Sequence, residues 1–513
     1  MSMEYVLSYD LGTSGVKATL VDCSGVLCAT EMETYPLYTP RESFAEQKPQ
    51  DYWDAVCAST KRLLVNTGTP AASIIGIALC SQWKGIIALD QNDRVLHNSI
   101  TWLDARATAQ AKSMNRVLQV NYYKEKLFGF KPSSRLNAAL GREILCAADY
   151  WPKLMWLREE LPEVYAKTKT ILECSSYVKW RATGKMSCDL TMHFTKSFNK
   201  STQSFYDLIL KLAKVDAGLF PDITETTDQV GEISVGAAEE LGLQAGTPVF
   251  GGCGDIPGIA IGSASFAPGD TNVYFGSSGW LSSVVQCKEG FLSTSPFSKE
   301  NDLLCFGFQG IGLAFDWALR QFYGNEYHTM GADVYGFIEK DLAGIPAGSA
   351  GLLATHWMYG ERPPFFSDSA RGAFVNLNGT HDRRHMLNAM MESICYSMKM
   401  SLTALIDGTR RDVPYINAVG GCAANDYWMQ MLADVLGIAV NIPEHPRHAG
   451  AIGAAYCALI GLGKCRGFSE ARERIKIEKT FLPRLEISSA HQKNFTAYSA
   501  LHKTLKSTFV SLK

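Results

Sequence analysis

Two short segments of this chain are rich in glycine and hydroxyl side chains, the residue types that can surround a phosphate. Residues 10–17 (DLGTSGVK) place a Gly-Thr-Ser turn between two apolar runs, and residues 275–280 (FGSSGW) repeat the arrangement. Small residues let backbone N–H groups and hydroxyls approach phosphate oxygens closely. One such turn could equally be an ordinary hairpin turn. Two of them predict a clamp on several phosphate oxygens, which phosphoryl transfer requires.

Three charged residues could complete this chemistry. Asp10 stands where the first strand should end and could hold Mg²⁺, usually through water, and Lys17 could add a positive point charge. Asp255 follows the glycines of GGCGDIPG, and Pro257 suits the first turn of a helix. Asp255 is therefore predicted to cap that helix, to act as a general base near its anion-favouring end, or to do both.

The same glycines allow a competing interpretation. Gly252, Gly254 and Gly258 follow a predicted strand and resemble a loose dinucleotide-binding fingerprint. A carboxylate inside that loop would repel a pyrophosphate, and no acidic residue follows a second strand at the expected distance. A dehydrogenase is therefore disfavoured. The chain also lacks a GxxxxGK(S/T) motif, so a P-loop nucleotide site is unsupported.

A third segment, GGCAANDYWMQMLADVLG, could bind a nucleotide base. The strand-like run YINAV enters Gly420-Gly421, and a helix is predicted from about Asn425 to Leu436. Paired glycines at a helix entrance could let an adenine lie against backbone, with the Asn425 amide offering hydrogen bonds; simple packing of strand on helix remains the alternative. His445 and His448 nearby lack an evident third ligand, which disfavours a metal site there.

Alternating and helical patterns indicate the elements that must position these residues. Strands are predicted on both sides of each small-residue turn, at IIGIALCS, and as hairpin arms at GIIALD and RVL. QDYWDAVCASTKRLLVNTG has helical spacing with Gly68 as its end, and IPGIAIGSAS predicts a short helix. The same order of strand, turn and helix in both halves predicts two related α/β domains, residues 1–246 and 247–513, with a boundary near Gly246. Residues 186–211 show no clear period and stay unassigned.

Composition limits the partners and the compartment. The chain has 513 residues, of which 46% are hydrophobic and 19% charged, with a formal net charge of −2. No global basic field is available for nucleic acid or acidic membranes, and no apolar run reaches the length of a membrane span. The 14 cysteines form no CxxC pair and lie mostly in apolar runs, which is typical of reduced, buried thiols. We expect a cytoplasmic protein with a small-molecule substrate, and the sequence leaves a homodimer open.

Taken together, these segments resemble the FGGY family of carbohydrate kinases, and within it xylulokinases most. The similarity runs from about Tyr5 to Leu462 and includes EQKPQDYWDAV, ITWLDARA and PKLMWLRE. The resemblance implies an actin-like fold of two ribonuclease-H-like domains around a central cleft that closes over ATP and a sugar. It also implies Asp255 as the base and Asp10, with Asp255, at the Mg²⁺ site.

The resemblance assigns further residues by position. Six would surround the phosphates: Thr13, Ser14, Lys17, Gly276, Ser277 and Ser278. Five would line the nucleotide pocket: Gly312, Asp316, Gly420, Gly421 and Asn425. Four fall on the sugar side together with Asp255: Trp83, Lys84, Trp102 and Asp104.

Two departures from the xylulokinase pattern concern the substrate. Residues 82–85 are QWKG in this chain, where xylulokinases resemble QMHG, so Trp83 and Lys84 differ. Residues 252–256 are GCGDI, where xylulokinases carry GGGDN, so Cys253 and Ile256 differ. The first change adds bulk and positive charge, and the second removes an amide after the base. We therefore expect phosphorylation of a ketose or polyol that is not plain xylulose, or of an acid sugar, unless Lys84 is merely a salt-bridged rim residue. A non-catalytic actin-like ATP-binding module is the remaining alternative.

Overall fold

The computed structural model describes residues 3–127, 145–193, 198–199, 203–205, 207–286, 294–362, 365, 367 and 369–512. Two mixed sheets of seven strands each dominate these ranges. No helix in the described ranges is long and apolar enough to cross a membrane. Every cysteine described is a free thiol, so none takes part in a disulfide.

The first sheet is built around the hairpin that was predicted from the first small-residue turn. Tyr5–Leu11 pairs antiparallel with Gly15–Asp22, which pairs with Leu27–Thr34. On its other side Tyr5–Leu11 pairs parallel with Ile74–Ser81, the predicted buried strand. Beyond it lie three shorter strands: Pro248–Phe250, Cys253–Gly254 and Gln229–Glu232.

The second sheet repeats this pattern around the second turn. Thr271–Phe275 pairs antiparallel with Gly279–Gln286, as predicted, and the latter pairs with Asn301–Phe308. Thr271–Phe275 also pairs parallel with Tyr415–Val419. The remaining strands are Ala439–Pro443, Ile477–Phe481 and Thr294–Pro296.

The two sheets therefore share one topology, with an antiparallel three-strand meander followed by parallel strands on the far side of its first strand. This confirms the predicted α/β architecture of two related domains. The division at Gly246 stays a prediction. Strands Pro248–Phe250 and Cys253–Gly254, which follow Gly246, still pair with Ile74–Ser81 of the first sheet.

Short strands outside the sheets pair in twos: Glu46–Gln47 with Ser99–Ile100, Ile87–Leu89 with Thr170–Leu172, Cys188–Asp189 with Ile223–Thr224, Phe198–Asn199 with Ser204–Phe205, and Leu353–Thr355 with Ala373–Val375. The hairpin predicted between GIIALD and RVL is reduced to a single bridge between Leu89 and Val95. Its first arm finds a distant strand partner instead, which local patterning does not reveal.

The α-helices cover both sheets and the region between them: Pro49–Thr67, Thr108–Leu127, Tyr150–Glu160, Pro162–Lys167, Cys174–Thr183, Asp207–Ala213, Val235–Leu241, Asp255–Gly262, Gly312–Phe322, Gly324–Met330, Val334–Leu342, Arg383–Thr409, Asp426–Leu436, Ala449–Gly461, Phe468–Arg474 and Ser488–Ser511. Short 3₁₀ turns occur at Ala71–Ser73, Leu190–Met192, Ala217–Leu219, Gly331–Asp333, Ser349–Gly351, Cys422–Ala424, Pro446–His448 and Leu485–Ile487.

Two predicted helix ends are confirmed. Gly68 and Gly437 both adopt left-handed backbone conformations, with φ of 64° and 78°, directly after Pro49–Thr67 and Asp426–Leu436. Glycine takes this conformation without a Cβ penalty, so it ends a helix efficiently.

Two helices pack against each other where the halves meet. Asp255–Gly262 lies on Ala449–Gly461, and the latter also packs on the central strands of the first sheet. The approach is close: a Cβ on Gly262 would lie 1.9 Å from the Ala449 carbonyl oxygen, and one on Gly453 would lie 2.0 Å from that of Gly258. This contact fixes the start of the first helix, and with it Asp255, between the two sheets.

Candidate active site

The first small-residue turn connects the first two strands. The Gly12 N–H donates a 3.0 Å hydrogen bond to the Gly15 carbonyl oxygen and closes the turn. Thr13 is half-buried and Ser14 is exposed. The Trp102 indole Nε1–H donates to the Thr13 hydroxyl at 2.9 Å. A residue predicted for the sugar side therefore contacts a residue predicted for the phosphates.

Asp10 and Lys17 face each other across the hairpin. They are cross-strand partners, with Lys17 Nζ 3.5 Å from Asp10 Oδ2. The same ammonium lies 3.5 Å from the Arg447 carbonyl oxygen, which belongs to the second half of the chain. A Cβ on Gly450 would lie 3.3 Å from Asp10 Oδ2, so this glycine lets the second half approach the carboxylate closely.

The second turn rests on the start of the Gly312–Phe322 helix. The Gly276 N–H donates to the Ser278 carbonyl oxygen at 3.0 Å, and the Gly312 N–H donates to the Gly276 carbonyl oxygen at 2.9 Å. Ser277 is exposed and Ser278 half-buried. A Cβ on Gly312 would lie 2.6 Å from the Gly276 carbonyl oxygen, so Gly312 is needed for this contact. The structure thus brings Gly312 to the second turn.

Tyr274 links the two turns. A Cβ on Gly276 would lie 2.5 Å from the Tyr274 ring, which therefore packs directly beneath the second turn. Burial raises the pKa of Tyr274, and the Asp10 and Asp255 carboxylates raise it further. Tyr274 also packs with Ile256 and Ile259 of the Asp255 helix in one apolar cluster, and the helix beneath them brings Gly450 against the Asp10 carboxylate. The first turn, the second turn and Asp255 therefore converge on one region between the halves.

Asp255 is the first residue of its helix, with Gly254 at the N-cap position. Its Oδ1 accepts a 2.8 Å hydrogen bond from the Ile256 N–H, and the residue is half-buried. Burial raises the pKa of Asp255 to about 7, Asp10 raises it as well, and Lys84 opposes the shift. A carboxylate with such a pKa is half-ionised near neutral pH, as suits a general base.

The third segment lies against the strand that leads to the second turn. Gly420 has φ of 105°, and a Cβ there would lie 2.4 Å from the Phe275 carbonyl oxygen. Gly421 is exposed at the entrance of the following 3₁₀ turn. Asn425 caps the next helix, its Oδ1 accepting from the Trp428 N–H at 2.7 Å, and its side-chain NH₂ takes no part in this cap.

Asp316 lies one helical turn beyond Gly312. Its carboxylate accepts a 3.0 Å hydrogen bond from the Tyr327 hydroxyl and pairs with Arg320 at 2.8 Å. The side chain is half-buried, so part of it stays accessible beside the second turn.

The Trp83-Lys84 pair lies next to the helix that carries Asp255. Trp83 is buried in a small cluster with Cys188, Met192 and Ile256. Lys84 adopts a positive φ of 62°, and its Nζ lies 2.7 Å from Asp149 Oδ1. Burial alone would lower the pKa of Lys84, but the Asp149 carboxylate more than offsets this and the pKa is raised. Lys84 is therefore a charged, salt-bridged residue near Asp255.

Asp104 differs from its prediction as a sugar-side residue. It is fully buried, and its oxygens accept hydrogen bonds from the Ala45 N–H at 2.6 Å and from the Arg106 guanidinium at 2.7–2.9 Å. Such a carboxylate has no surface to offer a ligand. Asp104 instead joins residues 43–46 to 101–106, a structural role that an isolated Asp in ITWLDARA does not reveal.

Two residues near Asp255 were missed from the sequence. Asp149 is the partner of Lys84, and Arg362 lies over Gly307, where a Cβ would be 3.6 Å from Arg362 Cδ. Both belong to segments without a distinctive pattern of their own. The charge of Lys84, which needs a counter-ion when buried, was the available signal for an acidic partner.

The protein is a two-domain phosphotransferase of the actin-like class. Its two related sheets each carry a small-residue turn, and a carboxylate lies at the start of a helix. Models of the "FGGY family of carbohydrate kinases" match residues 5–262 as its N-terminal domain and 303–462 as its C-terminal domain. The chain belongs to the FGGY family of carbohydrate kinases.

Individual relatives agree with this assignment. The chain is similar to the xylulose kinase of Bacillus subtilis, with 30% identity over 100% of this chain and 99% of that protein. It is 26% identical to the gluconokinase of the same species, covering 92% of this chain and 90% of that one. The ligand-bound xylulose kinase of Lactobacillus acidophilus has the same fold, with a TM-score of 0.84, 24% identity and coverage of 99% and 100%.

Proposed function

We propose that this kinase transfers the γ-phosphoryl group of ATP to a hydroxyl of a sugar or polyol, with Asp255 as the general base. One observation carries the assignment of the base. Asp255 begins a helix that packs on Ala449–Gly461, the helix whose Gly450 lies against Asp10, and its surroundings raise its pKa to about 7. It can therefore accept the proton of the acceptor hydroxyl as the new P–O bond forms.

The turns would stabilise the charge that spreads over the phosphoryl oxygens. Two turns would supply the hydroxyls, Thr13 and Ser14 from the first and Ser277 and Ser278 from the second, and Lys17 adds positive charge beside the first turn. Backbone N–H groups at Gly276 and its neighbours would approach closely because no Cβ intervenes. Donors held in place before the reaction need no reorganisation when charge develops.

Asp10 and Asp255 are the residues that would hold Mg²⁺. The two carboxylates are close enough that Asp10 raises the pKa of Asp255. Two neighbouring carboxylates, with water and phosphate oxygens as further ligands, suit the oxygen-only octahedral preference of Mg²⁺. When bound, the ion would neutralise charge on the phosphates.

The nucleotide base would lie beside residues 420–425. Gly421 is exposed, Asn425 retains its NH₂ group, and Gly312 and Asp316 lie on the adjacent helix below the second turn. Gly420 fixes this segment against the strand before that turn. A triphosphate extending from here would reach the second turn first and then Asp255.

The acceptor sugar would lie between Trp102, Lys84 and Asp255. Trp102 is half-buried and contacts Thr13. Trp83 is mostly buried and packs against Ile256. Asp104 is not included, because its carboxylate is fully buried.

A second candidate is the same transfer to an acid sugar. Lys84 follows Trp83, which packs on Ile256. Arg362 lies over Gly307, on the same strand as Cys305, which packs beside Ile256 as well. The pKa of Cys305 is raised to about 12 by burial and, to a smaller degree, by Asp255, whereas Lys84 and Arg362 lower it. Two cations facing one pocket could bind a substrate carboxylate.

A substrate panel separates the two candidates. ADP release would be measured with D-xylulose, other ketoses, pentitols and aldonates. Phosphorylation of aldonates that weakens when Lys84 is replaced by Met supports the acid-sugar candidate. A clear preference for D-xylulose removes it and leaves the kinase assignment intact.

Asp255→Ala tests the base directly. Turnover should fall about 10²- to 10⁴-fold, while ATP affinity measured by calorimetry should change little. Asp207→Ala is the matched control, because Asp207 also begins a helix but its side chain is 86% exposed. Near-normal turnover of Asp255→Ala would refute the assignment, and ATP binding without sugar-dependent ADP release in the wild type would favour a non-catalytic module.

A further inference from the structure

Three buried polar residues lie beneath the glycine loop that precedes Asp255. Lys179, Asp189 and Thr191 are each fully buried in the first half of the chain. The Lys179 ammonium donates a 2.8 Å hydrogen bond to the Gly251 carbonyl oxygen. The Thr191 hydroxyl oxygen accepts a 2.8 Å hydrogen bond from the Gly254 N–H. Both ends of loop 251–254 are therefore attached to this group.

Asp189 sets the orientation of the Thr191 hydroxyl. Asp189 Oδ1 accepts a 2.5 Å hydrogen bond from that hydroxyl and a 3.0 Å bond from the Thr191 N–H. Because the Thr191 hydroxyl donates its proton to the Asp189 carboxylate, its oxygen is left to accept the hydrogen bond from the Gly254 N–H. Lys179 Nζ lies 4.0 Å from Asp189 Oδ2, so each charge compensates the other where no water is available.

Backbone pairing of Cys253–Gly254 with Ile74–Ser81 holds part of this loop. Three of its four residues are glycine, and Gly252 has φ of 72°. Because glycine has the widest backbone freedom of any residue, the contacts of Lys179 and Thr191 restrict the loop further. Gly254 is also the N-cap of the Asp255 helix, which makes the Thr191 contact one residue away from the carboxylate.

We propose that Thr191, oriented by Asp189 and Lys179, is a positioning residue that holds the Asp255 carboxylate in line with the acceptor hydroxyl. This inference rests on the proposed role of Asp255. Phosphoryl transfer depends mainly on positioning, and a displacement of about 1 Å can cost about 10²-fold in rate. The three residues contact the backbone before Asp255 and act on the reaction through it.

Thr191→Val removes the hydroxyl and keeps the side-chain shape. It should lower kcat by about 10- to 100-fold and leave the KM for the sugar and the affinity for ATP within about threefold. Thr191→Ser restores the hydroxyl and should recover most of the turnover. Asp189→Asn keeps the side-chain volume but holds the Thr191 hydroxyl less firmly, so a smaller loss in kcat is expected. If Thr191→Val does not fold, Asp189→Asn tests the proposal in its place.

Thr355→Val controls for the loss of a buried threonine hydroxyl. Thr355 is fully buried in the second half, and its hydroxyl donates to the Arg371 carbonyl oxygen at 2.9 Å. This variant should lose thermal stability to a similar degree and keep normal turnover. A purely structural role of Thr191 would make the two threonine variants alike in both measurements.

The double variant Thr191→Val/Asp255→Asn links the effect to the base. If Thr191 acts only through Asp255, the double variant should turn over no more slowly than Asp255→Asn alone. Additive losses, a normal kcat in Thr191→Val, or an effect confined to KM would overturn the inference. High activity of Asp255→Asn would instead overturn the proposed function itself, so the two failures are distinguishable.

Discussion

The Trp102 indole N–H donates a 2.9 Å hydrogen bond to the Thr13 hydroxyl, across 89 positions of sequence. Trp102 is predicted to face the sugar and Thr13 to face the transferred phosphate. Because the two side chains are in contact, the proposed sugar and phosphate pockets are adjacent. A substitution of one side chain should therefore change the position of the other. The acceptor hydroxyl and the transferred phosphoryl group would come together beside this hydrogen bond, next to Asp10.

Trp102→Phe and Thr13→Val test this coupling. Each variant removes one partner of the hydrogen bond, and each should lower kcat/KM by about fivefold, because a neutral hydrogen bond contributes about 1 kcal/mol. The double variant should lose less than the product of the two single losses. Strictly multiplicative losses would show that the contact does not couple the two sites.

The pH dependence of turnover should report Asp255. A general base is active when ionised, and burial raises the pKa of Asp255 to about 7. We therefore expect kcat/KM for the sugar to rise with pH, with a slope of about one log unit per pH unit below 7, and to level off above it. A flat profile between pH 5 and pH 8 would contradict this assignment.

Lys84→Met should move that profile to higher pH. The Lys84 charge favours the ionised form of Asp255 and opposes the effect of burial. Without it the midpoint of the profile should rise, and activity at pH 6.5 should fall more than activity at pH 8.5. Arg94→Met, an exposed cation far from this pocket, is the control and should leave the midpoint in place.

Asp255→Asn should stabilise the protein at alkaline pH. The pKa of Asp255 is raised from 3.8 to about 7 in the folded state, so the native protein binds its proton more tightly than the unfolded chain does. The free energy of unfolding therefore falls as pH rises from about 4 to about 7. The variant lacks this loss, and its Tm should exceed that of the wild type by about 2–4 °C at pH 8, with little difference at pH 4.

Local patterns were sufficient for the elements that carry the turns. The hairpins around 12–14 and 276–278 were predictable because apolar runs flank small residues that can form only a turn there. Gly68 and Gly437 were predictable because a helix ending in left-handed backbone favours glycine. These features depend on residues that are neighbours in the chain.

Features that depend on distant partners were not predictable. Asp104 was assigned to the sugar side, yet its carboxylate accepts hydrogen bonds from Arg106 and from the Ala45 N–H. No spacing of residues in the sequence predicts these contacts. At Asp189 and Thr191, within the stretch that showed no period, the side chains support the loop before Asp255 instead of forming a regular helix face.

Gly262→Ala should destabilise the packing of two helices against each other. A Cβ at this position would lie 1.9 Å from the Ala449 carbonyl oxygen, so the helices Asp255–Gly262 and Ala449–Gly461 would have to separate. Overpacking of this kind costs about 1–3 kcal/mol, and a lower Tm should be seen by calorimetry. Because the same helix begins with Asp255, kcat should fall as well.

Gly236→Ala is the matched control for this substitution. Gly236 lies in the helix Val235–Leu241, and a Cβ there would meet nothing within 4 Å. Alanine favours a helix over glycine by about 1 kcal/mol, so this variant should be as stable as the wild type or slightly more so, with unchanged turnover. Equal effects of the two substitutions would mean that the loss comes from helix propensity or chain entropy and not from the contact between the two helices.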